Sequence, residues 1–406
     1  MTVPRSRRRR TPVRALPDAG RAVVEFLKTE AGGGAVLLVA ALIALVWANS
    51  PWDAAYDDFW HHEISVGPSR WAVRETLQHW VNDGLMALFF FVVGLEIKRE
   101  MVCGELRDRR TAALPAVAAL GGMVVPAALF RLVTGGGPAA HGWGIPMATD
   151  IAFAVGVLAL LGSRVPPSLR VFLLTLAIVD DIGAIAVIAV FYSANVEPQW
   201  LLAAAGLLGI VVVARPLGRW WVVGFVPVAL LVWYCTYRSG VHPTIAGVAL
   251  GLVTPLGPVG GRPLIERLEA VLHPWSSYLV IPVFALANAG VSLTGDSLGD
   301  AAASRLTWAV VVGLVVGKML GIGAATGLMV RSRLGRLPSG VGPRHVLGAA
   351  ALGGIGFTVS LFITGLAFSD PALQAQAKVG ILAGSTLAAL VGASILVRAP
   401  AEGSQG

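Results

Sequence analysis

Residues Val171–Tyr192 read VFLLTLAIVDDIGAIAVIAVFY, an apolar run long enough to cross a bilayer, with two aspartates, Asp180 and Asp181, side by side in its middle. Nine residues precede the pair. At about 1.5 Å per helical residue they put it about 13 Å deep, near the midplane of a hydrocarbon core about 30 Å thick. A carboxylate at that depth costs about 3 kcal/mol or more unless it is paired, hydrated or protonated, so an ionisable residue there reads as part of an ion or proton pathway. Asp150 and Lys318 fall at similar depth in two other apolar segments. Three acids and one base at one level point to a site.

The composition places that run among others of its kind. Of 406 residues, 56% are hydrophobic and 13% charged, with a mean hydropathy of +0.74. A soluble domain carries about 25% charged residues, so the chain is an all-α polytopic membrane protein. Its 49 glycines fit that class, because small residues let membrane helices approach closely. Cys103 and Cys235 fall in or beside separate apolar segments and imply no disulfide framework. The net charge of +8 is distributed by topology and calls for no nucleic-acid partner. The opening MTVPRSRRRRTPVR lacks the apolar stretch and cleavage site of a secretory signal. Residues 1–28 read as a basic cytoplasmic tail drawn to lipid, and 398–406 as a short carboxyl tail on the same side.

Twelve apolar spans are expected, near 33–49, 82–103, 112–134, 139–161, 169–193, 199–214, 219–236, 241–254, 271–293, 306–330, 345–367 and 377–397. With the amino terminus inside, the cytoplasmic segments hold 24 Lys and Arg and the outer ones 6. That asymmetry obeys the positive-inside rule and sets both termini in the cytoplasm of a multi-pass cell-membrane protein. The longest outer segment, 51–80, contains HHEISVGPSRWAV; its alternation and Gly-Pro turn suit a hairpin, and an irregular interfacial loop is the other reading.

Two spans are interrupted. In GWGIPMATDIAFAVGVLALLG, Pro146 disfavours helix at Ile145, and Thr149 and Asp150 follow at mid-depth. In ALGGIGFTVSLFITGLAF, Gly353, Gly354 and Gly356 precede Thr358. Non-helical backbone persists at that depth only where it is buried in protein or lines a cavity. Each break sits in the middle span of a three-span group, 112–193 and 306–397, and interruptions in corresponding positions mark a transporter binding site. The odd number of spans separating the two breaks gives the groups opposite orientation, an inverted repeat.

The chemistry follows from what those elements bring together. Half-helices meeting at a break leave positive ends on one side and negative ends on the other, which an acid such as Asp150 and a base such as Lys318 can balance. Asp180 and Asp181 point about 100° apart on a helix, so one can face a cation pathway while the other meets Lys318. Desolvation and a like-charged neighbour both move a carboxyl's proton exchange toward neutral pH. A hard cation wants the same oxygens, with Thr149 as a supplementary ligand, so protons and cations compete for one site.

These residues resemble a known family, the NhaA-type sodium/proton antiporters. The similar stretches are NDGLMALFFFVVGLEIKRE from Asn82, ATDIAFAVGVLALLGSRVP from Ala148, LAIVDDIGAI from Leu176, SGVHPTIAGV from Ser239, RLEAVLHPW from Arg267, FALANAGVSL from Phe284, GKMLGI from Gly317 and GGIGFTVSLFI from Gly353. The resemblance covers roughly residues 25–397 and implies a twelve-helix antiporter domain over 29–397, with two discontinuous helices crossing at the midplane. It implies that Asp181 is the principal sodium or lithium ligand, that Asp180 is the second proton carrier pairing with Lys318, and that Thr149 and Asp150 shape the crossing. It further implies electrogenic export of sodium against protons, activation at alkaline pH and a homodimer formed through the outer hairpin. No cofactor is implied. The arginine-rich start departs from the pattern.

Each residue also has a plainer reading. Asp150 can simply satisfy backbone donors freed at the break, and Lys318 can be a fixed counter-ion that never releases its proton. Glu96 and Glu100 lie four apart near Lys98 and Arg99, as at any salt-bridged helix end; the resemblance makes them, with Glu269, candidate pH sensors. His242 titrates in the right range but also reads as a packing residue, and Asp83 reads as structural. A sodium-coupled symporter for an organic solute is the alternative function, a cation channel a weaker one. An enzyme has least support, since the loops hold no metal-ligand His cluster, nucleophile elbow or phosphate loop.

Overall fold

The computed structural model describes residues 30–68, 71–193, 196–214, 219–259 and 262–399. The basic tail expected over 1–28 lies outside them, as does the carboxyl tail from residue 400 on. In chain order the helices are α1 (Glu30–Ala48), α2 (Asp53–Trp60), α3 (Leu77–Val102), α4 (Arg110–Thr134), α5 (Ile151–Leu161), α6 (Pro167–Phe191), α7 (Pro198–Ala214), α8 (Arg219–Arg238), α9 (Thr244–Val253), α10 (Leu264–Asn288), α11 (Gly295–Ala303), α12 (Arg305–Arg331), α13 (Pro343–Leu352), α14 (Phe357–Ala367) and α15 (Pro371–Val397). Among the described residues, α3, α4, α6, α10, α12 and α15 are long and apolar enough to cross a membrane. The number rises to nine if each of three bent helix pairs is one span, and α7 and α9 are shorter apolar helices.

Local chemistry sets the boundaries. Prolines at the first turn begin α6 and α15, where the missing N–H has no intrahelical partner to lose. Asp370 also caps α15 by accepting a hydrogen bond from Ala372 N at 2.9 Å. Between α2 and α3 the segment 61–76 contains a hairpin: β1 (Glu63–Val66) pairs antiparallel with β2 (Val73–Thr76) in the register Glu63↔Thr76 and Val66↔Val73. Aromatic rings anchor it to the adjoining helix ends, with Trp71 6.3 Å from Trp200 and 6.2 Å from Tyr234. Arg238 lies 5.0 Å over the Trp200 ring, a cation–π contact.

Two bent pairs hold the breaks. The segment Pro138–Met147 meets α5 at 43°, and α13 meets α14 at 45°. The half preceding α5 is a 3₁₀ helix rather than an α-helix. Its PAAHGWGIPM carries two glycines and two prolines in ten residues, a composition that weakens the i→i+4 ladder.

Small residues let the remaining helices close around these breaks. A Cβ on Gly94 of α3 would sit 2.6 Å from the Val248 carbonyl of α9, and one on Gly251 would sit 2.6 Å from the Phe91 carbonyl. Gly121 of α4 faces Gly321 of α12 so closely that a methyl on either would strike the other's backbone. That contact, one helical turn from Lys318, draws α12 against α4 and aims the lysine at the breaks.

Candidate functional site

The two breaks meet. Asp150 N donates to the Ile355 carbonyl at 2.5 Å. In return the Asp150 carboxylate accepts from Thr358 N at 3.0 Å and from Thr358 Oγ1 at 2.7 Å. Its other oxygen caps α5 by accepting from Phe153 N at 3.1 Å. One buried carboxylate thus serves the amino ends of both α5 and α14, where unpaired N–H groups and the helix dipole favour negative charge. Ser360 Oγ donates to the Ile145 carbonyl at 2.6 Å, and Gly356 N donates to Ser385 Oγ at 3.3 Å.

The carboxyl end of the first half-helix, Pro138–Met147, is served by a base. Lys318 is wholly buried and directly follows a π-helical turn, Gly313–Gly317, in α12. Its ammonium donates to the Met147 carbonyl, to Thr149 Oγ1 at 3.2 Å and to Asp180 Oδ2 at 2.5 Å. Three donors meet three acceptors. Thr149 Oγ1 lies 2.7 Å from Asp180 Oδ2 and 2.8 Å from the Gly353 carbonyl; its single proton can serve only one of them at a time. Glycine is required in this corner. A methyl on Gly354 would collide with the Leu314 carbonyl of the π turn, and one on Gly356 would sit 2.8 Å from the Leu314 side chain.

Asp180 and Asp181 have opposite surroundings. Asp180 is 0% exposed and ion-paired with Lys318, while its Oδ1 has no hydrogen-bond partner among the described residues. Asp181 is 7% exposed. No donor of the described residues reaches it, and the charges close enough to act on it are Asp180, Glu96, Asp150 and Lys318. The adjacent residues therefore offer unclaimed carboxylate oxygens beside a lysine whose three donors are all used. Burying Asp180 with Lys318 does not stabilise the fold by itself, because desolvation offsets the attraction of such a pair.

A second charged group lies at the carboxyl end of α3. Arg99 binds Glu269 of α10 at 2.6 Å and Glu100 at 3.3 Å. Glu96 is near enough to Glu269, Arg99 and Glu100 for their charges to interact, and its charge also acts on Asp181. Glu96, Glu100 and Glu269 are thus brought together, whereas His242 lies at the other end of α3, 3.7 Å from Asp83.

Several participants carried no sequence signal. The Met147, Ile145, Gly353 and Ile355 carbonyls are backbone groups, which every residue possesses. Ser360 and Ser385 are single hydroxyls in apolar helices, and Arg99 reaches Glu269 across 170 positions. Thr149, Asp150 and Thr358 were legible because each lies beside a helix breaker.

Comparison with known proteins bears on what this arrangement does. The family model described as Na+/H+ antiporter 1 matches residues 24–396. The chain is 49% identical to the Na(+)/H(+) antiporter NhaA 3 of Frankia alni, over 94% of this chain and 89% of that relative. It is 48% identical to the Na(+)/H(+) antiporter NhaA of an Acidovorax strain, over 95% and 96%. Among solved structures, the sodium proton antiporter MjNhaP1 from Methanocaldococcus jannaschii superposes with a TM-score of 0.53 at 11% identity, covering 95% of this chain and 99% of that one. At that identity the likeness concerns the fold alone.

Proposed function

This chain belongs to the Na+/H+ antiporter 1 family of multi-pass membrane transporters, and from that premise we propose that it exports sodium, and lithium, in exchange for protons by alternating access. It crosses the cell membrane twelve times with both termini in the cytoplasm. The groups 112–193 and 306–397 are inverted repeats whose interrupted helices cross at the midplane. Its partners are sodium, lithium, protons, the bilayer and a second copy docked through the hairpin of 51–80. Sodium and pH homeostasis is the resulting role.

The observation that carries this reading is the difference between neighbours: Lys318 holds Asp180 at 2.5 Å, while no donor among the described residues reaches Asp181. A hard cation prefers oxygen ligands that nothing else occupies. Sodium binds Asp181 and the adjacent Asp180, with Thr149 contributing its hydroxyl once Asp180 leaves Lys318. Binding displaces the Asp181 proton and breaks the Lys318–Asp180 pair. The buried Lys318 ammonium, left without its counter-charge, then gives up its proton, so one sodium replaces two protons and exchange is electrogenic. Asp150 and Thr358 hold the breaks together, with Gly353, Gly354 and Gly356 leaving room for them. Glu96, Glu100 and Glu269 set the response to cytoplasmic pH, and His242 is a further titrating candidate.

Sodium-driven proton flux in sealed vesicles containing only this protein tests the function. The expected result is flux that an imposed membrane potential accelerates; flux that needs an organic solute would point to the symporter instead. Orientation is tested in a background with Cys103→Ser and Cys235→Ser. Cysteines at positions 297 and 332 should then label from outside and inside respectively with an impermeant thiol reagent, and the reverse pattern would overturn the topology.

A further inference from the structure

The end of the molecule where α12 stops and α13 begins carries positive charge without compensation. Residues 331–344 contain Arg331, Arg333, Arg336 and Arg344 and no acid, and residues 162–170 contain Arg164 and Arg170 and no acid. Ser168 Oγ donates to the Ser339 carbonyl at 2.7 Å, which joins the two loops. Gly348 of α13 packs on Leu396 of α15, which brings Arg398 to the same end. Arg164, Arg331, Arg333, Arg336, Arg344 and Arg398 are exposed, and among the described residues none of them forms an ion pair. The neighbouring loop at the end of α3 differs. There Arg99 is paired with Glu269 and Glu100, and Glu105 and Asp108 stand among Arg107, Arg109 and Arg110.

An apolar side chain sits inside this basic patch. The end of α12 is a Schellman turn: Arg333 has φ 60, Arg333 N donates to the Val330 carbonyl, and Leu334 N donates to the Met329 carbonyl, each at 3.1 Å. In that motif the residue after the left-handed one ordinarily packs back on its own helix. Leu334 does not, being 73% exposed. Leu337 of the same loop packs inward against a buried cluster and Val341 is itself buried, so the loop has its own anchors and presents Leu334 outward between Arg333 and Arg336. An exposed leucine held by a fixed turn between unpaired arginines suits the boundary of an anionic bilayer, where the arginines meet phosphate and the leucine enters the acyl region.

We infer that Arg331, Arg333, Arg336 and Arg344, with Leu334, form a binding site for anionic phospholipid headgroups beside the second interrupted helix. Assigning it to the cytoplasmic leaflet rests on the orientation proposed above; the binding does not. Lipid held there contacts the loop joining α12, which bears Lys318, to α13, whose far end is the break at Gly353. The site's occupancy is therefore felt by the elements that build the ion site.

The test uses the purified full chain in neutral detergent, titrated with phosphatidylglycerol or phosphatidylcholine while thermal stability is followed. Phosphatidylglycerol should raise the melting temperature and phosphatidylcholine should not. Each arginine contributes roughly fivefold in affinity, so Arg333→Gln with Arg336→Gln should weaken the phosphatidylglycerol response roughly 25-fold. The charge-matched control Arg107→Gln with Arg110→Gln should leave it unchanged. Leu334→Ser should weaken it at constant charge. An equal loss in the control pair would reduce the effect to net charge and overturn the site, as would an undiminished response in the Arg333/Arg336 pair. Inorganic phosphate or glycerol phosphate reproducing the stabilisation would identify a free-anion site and overturn the lipid assignment. An unchanged response in Leu334→Ser would overturn the insertion of that side chain. Detergent-solubilised protein has both faces accessible, so failure of the topology leaves these outcomes readable.

Discussion

Asp180 and Asp181 occupy successive positions on α6 and live in different chemical worlds. Asp180 has no exposed surface, and its Oδ2 is held by Lys318 at 2.5 Å and Thr149 at 2.7 Å, with only Oδ1 left without a partner among the described residues. The face bearing Asp181 keeps 7% exposure and receives no hydrogen bond from the described residues. The difference teaches that about 100° of rotation on one helix can separate a carboxylate tied to a buried lysine from one that no donor among the described residues reaches. The breaks, by contrast, exchange both kinds of group: the first supplies the Thr149 and Asp150 side chains with the Asp150 N–H and the Ile145 carbonyl, and the second the Gly353 and Ile355 carbonyls with the Thr358 N–H and the Thr358 and Ser360 hydroxyls.

The most damaging test of this contrast is Asp181→Asn. It should reduce sodium-driven exchange more than about 100-fold in proteoliposomes, since losing a transition-determining interaction of about 3 kcal/mol amounts to that factor, while the melting temperature stays near that of the unaltered protein. Turnover close to normal would remove Asp181 from the ion path.

Asp180→Asn should instead damage the fold, because it strands the wholly buried Lys318 without its counter-charge. Removing one partner of such a pair costs about 3–5 kcal/mol. Asp180→Asn combined with Lys318→Met should recover most of that loss in denaturant titrations. If the double variant also transports, Asp180 serves only as the lysine's partner; if it is stable and silent, Asp180 carries protons or sodium as well.

A smaller and graded effect is expected from pH. When sodium and protons exclude each other at Asp181, apparent sodium affinity below the carboxyl's titration falls about tenfold per pH unit for each proton displaced. The sign follows from competition: acid fills the site with protons, and added sodium restores activity at unchanged maximal rate. A separate sensor at Glu96, Glu100 and Glu269 gives the other pattern, a falling maximal rate that sodium cannot rescue. Exchange measured against sodium concentration at several symmetrical pH values separates the two.

The mildest perturbation concerns the stitch between the breaks. Thr358→Val removes the hydroxyl bond to Asp150 but leaves the backbone N–H bond in place, which should cost about 1.5–3 kcal/mol, the range for a bond to a charged group. Asp150→Asn should cost at least as much, since it strips the negative charge from two helix ends. Equal stability in both variants would mean that the breaks are held by the surrounding helices alone.

Much of this was written in the chain. Mean hydropathy and the spacing of apolar runs establish a polytopic helical protein because lipid forces every spanning backbone to satisfy its own hydrogen bonds, and helices do so within one segment. Asp180, Asp181 and Lys318 stand out because charge at mid-depth is costly, and Pro146, Gly353, Gly354 and Gly356 mark the breaks because these residues interrupt the helical ladder. Those are local properties, legible one residue at a time. Helical periodicity alone left open which aspartate meets the lysine, since it sets the angle between two side chains but not what lies in either direction; the family resemblance pointed to Asp180. Tertiary structure decided the rest: the three acceptors that saturate Lys318, the reciprocal bonds between Asp150 and the second break, the Arg99–Glu269 bridge, and the Leu334 side chain left outside its own turn. Each depends on groups brought together from distant parts of the chain, and most of those groups are backbone carbonyls and amides, which look the same in every sequence.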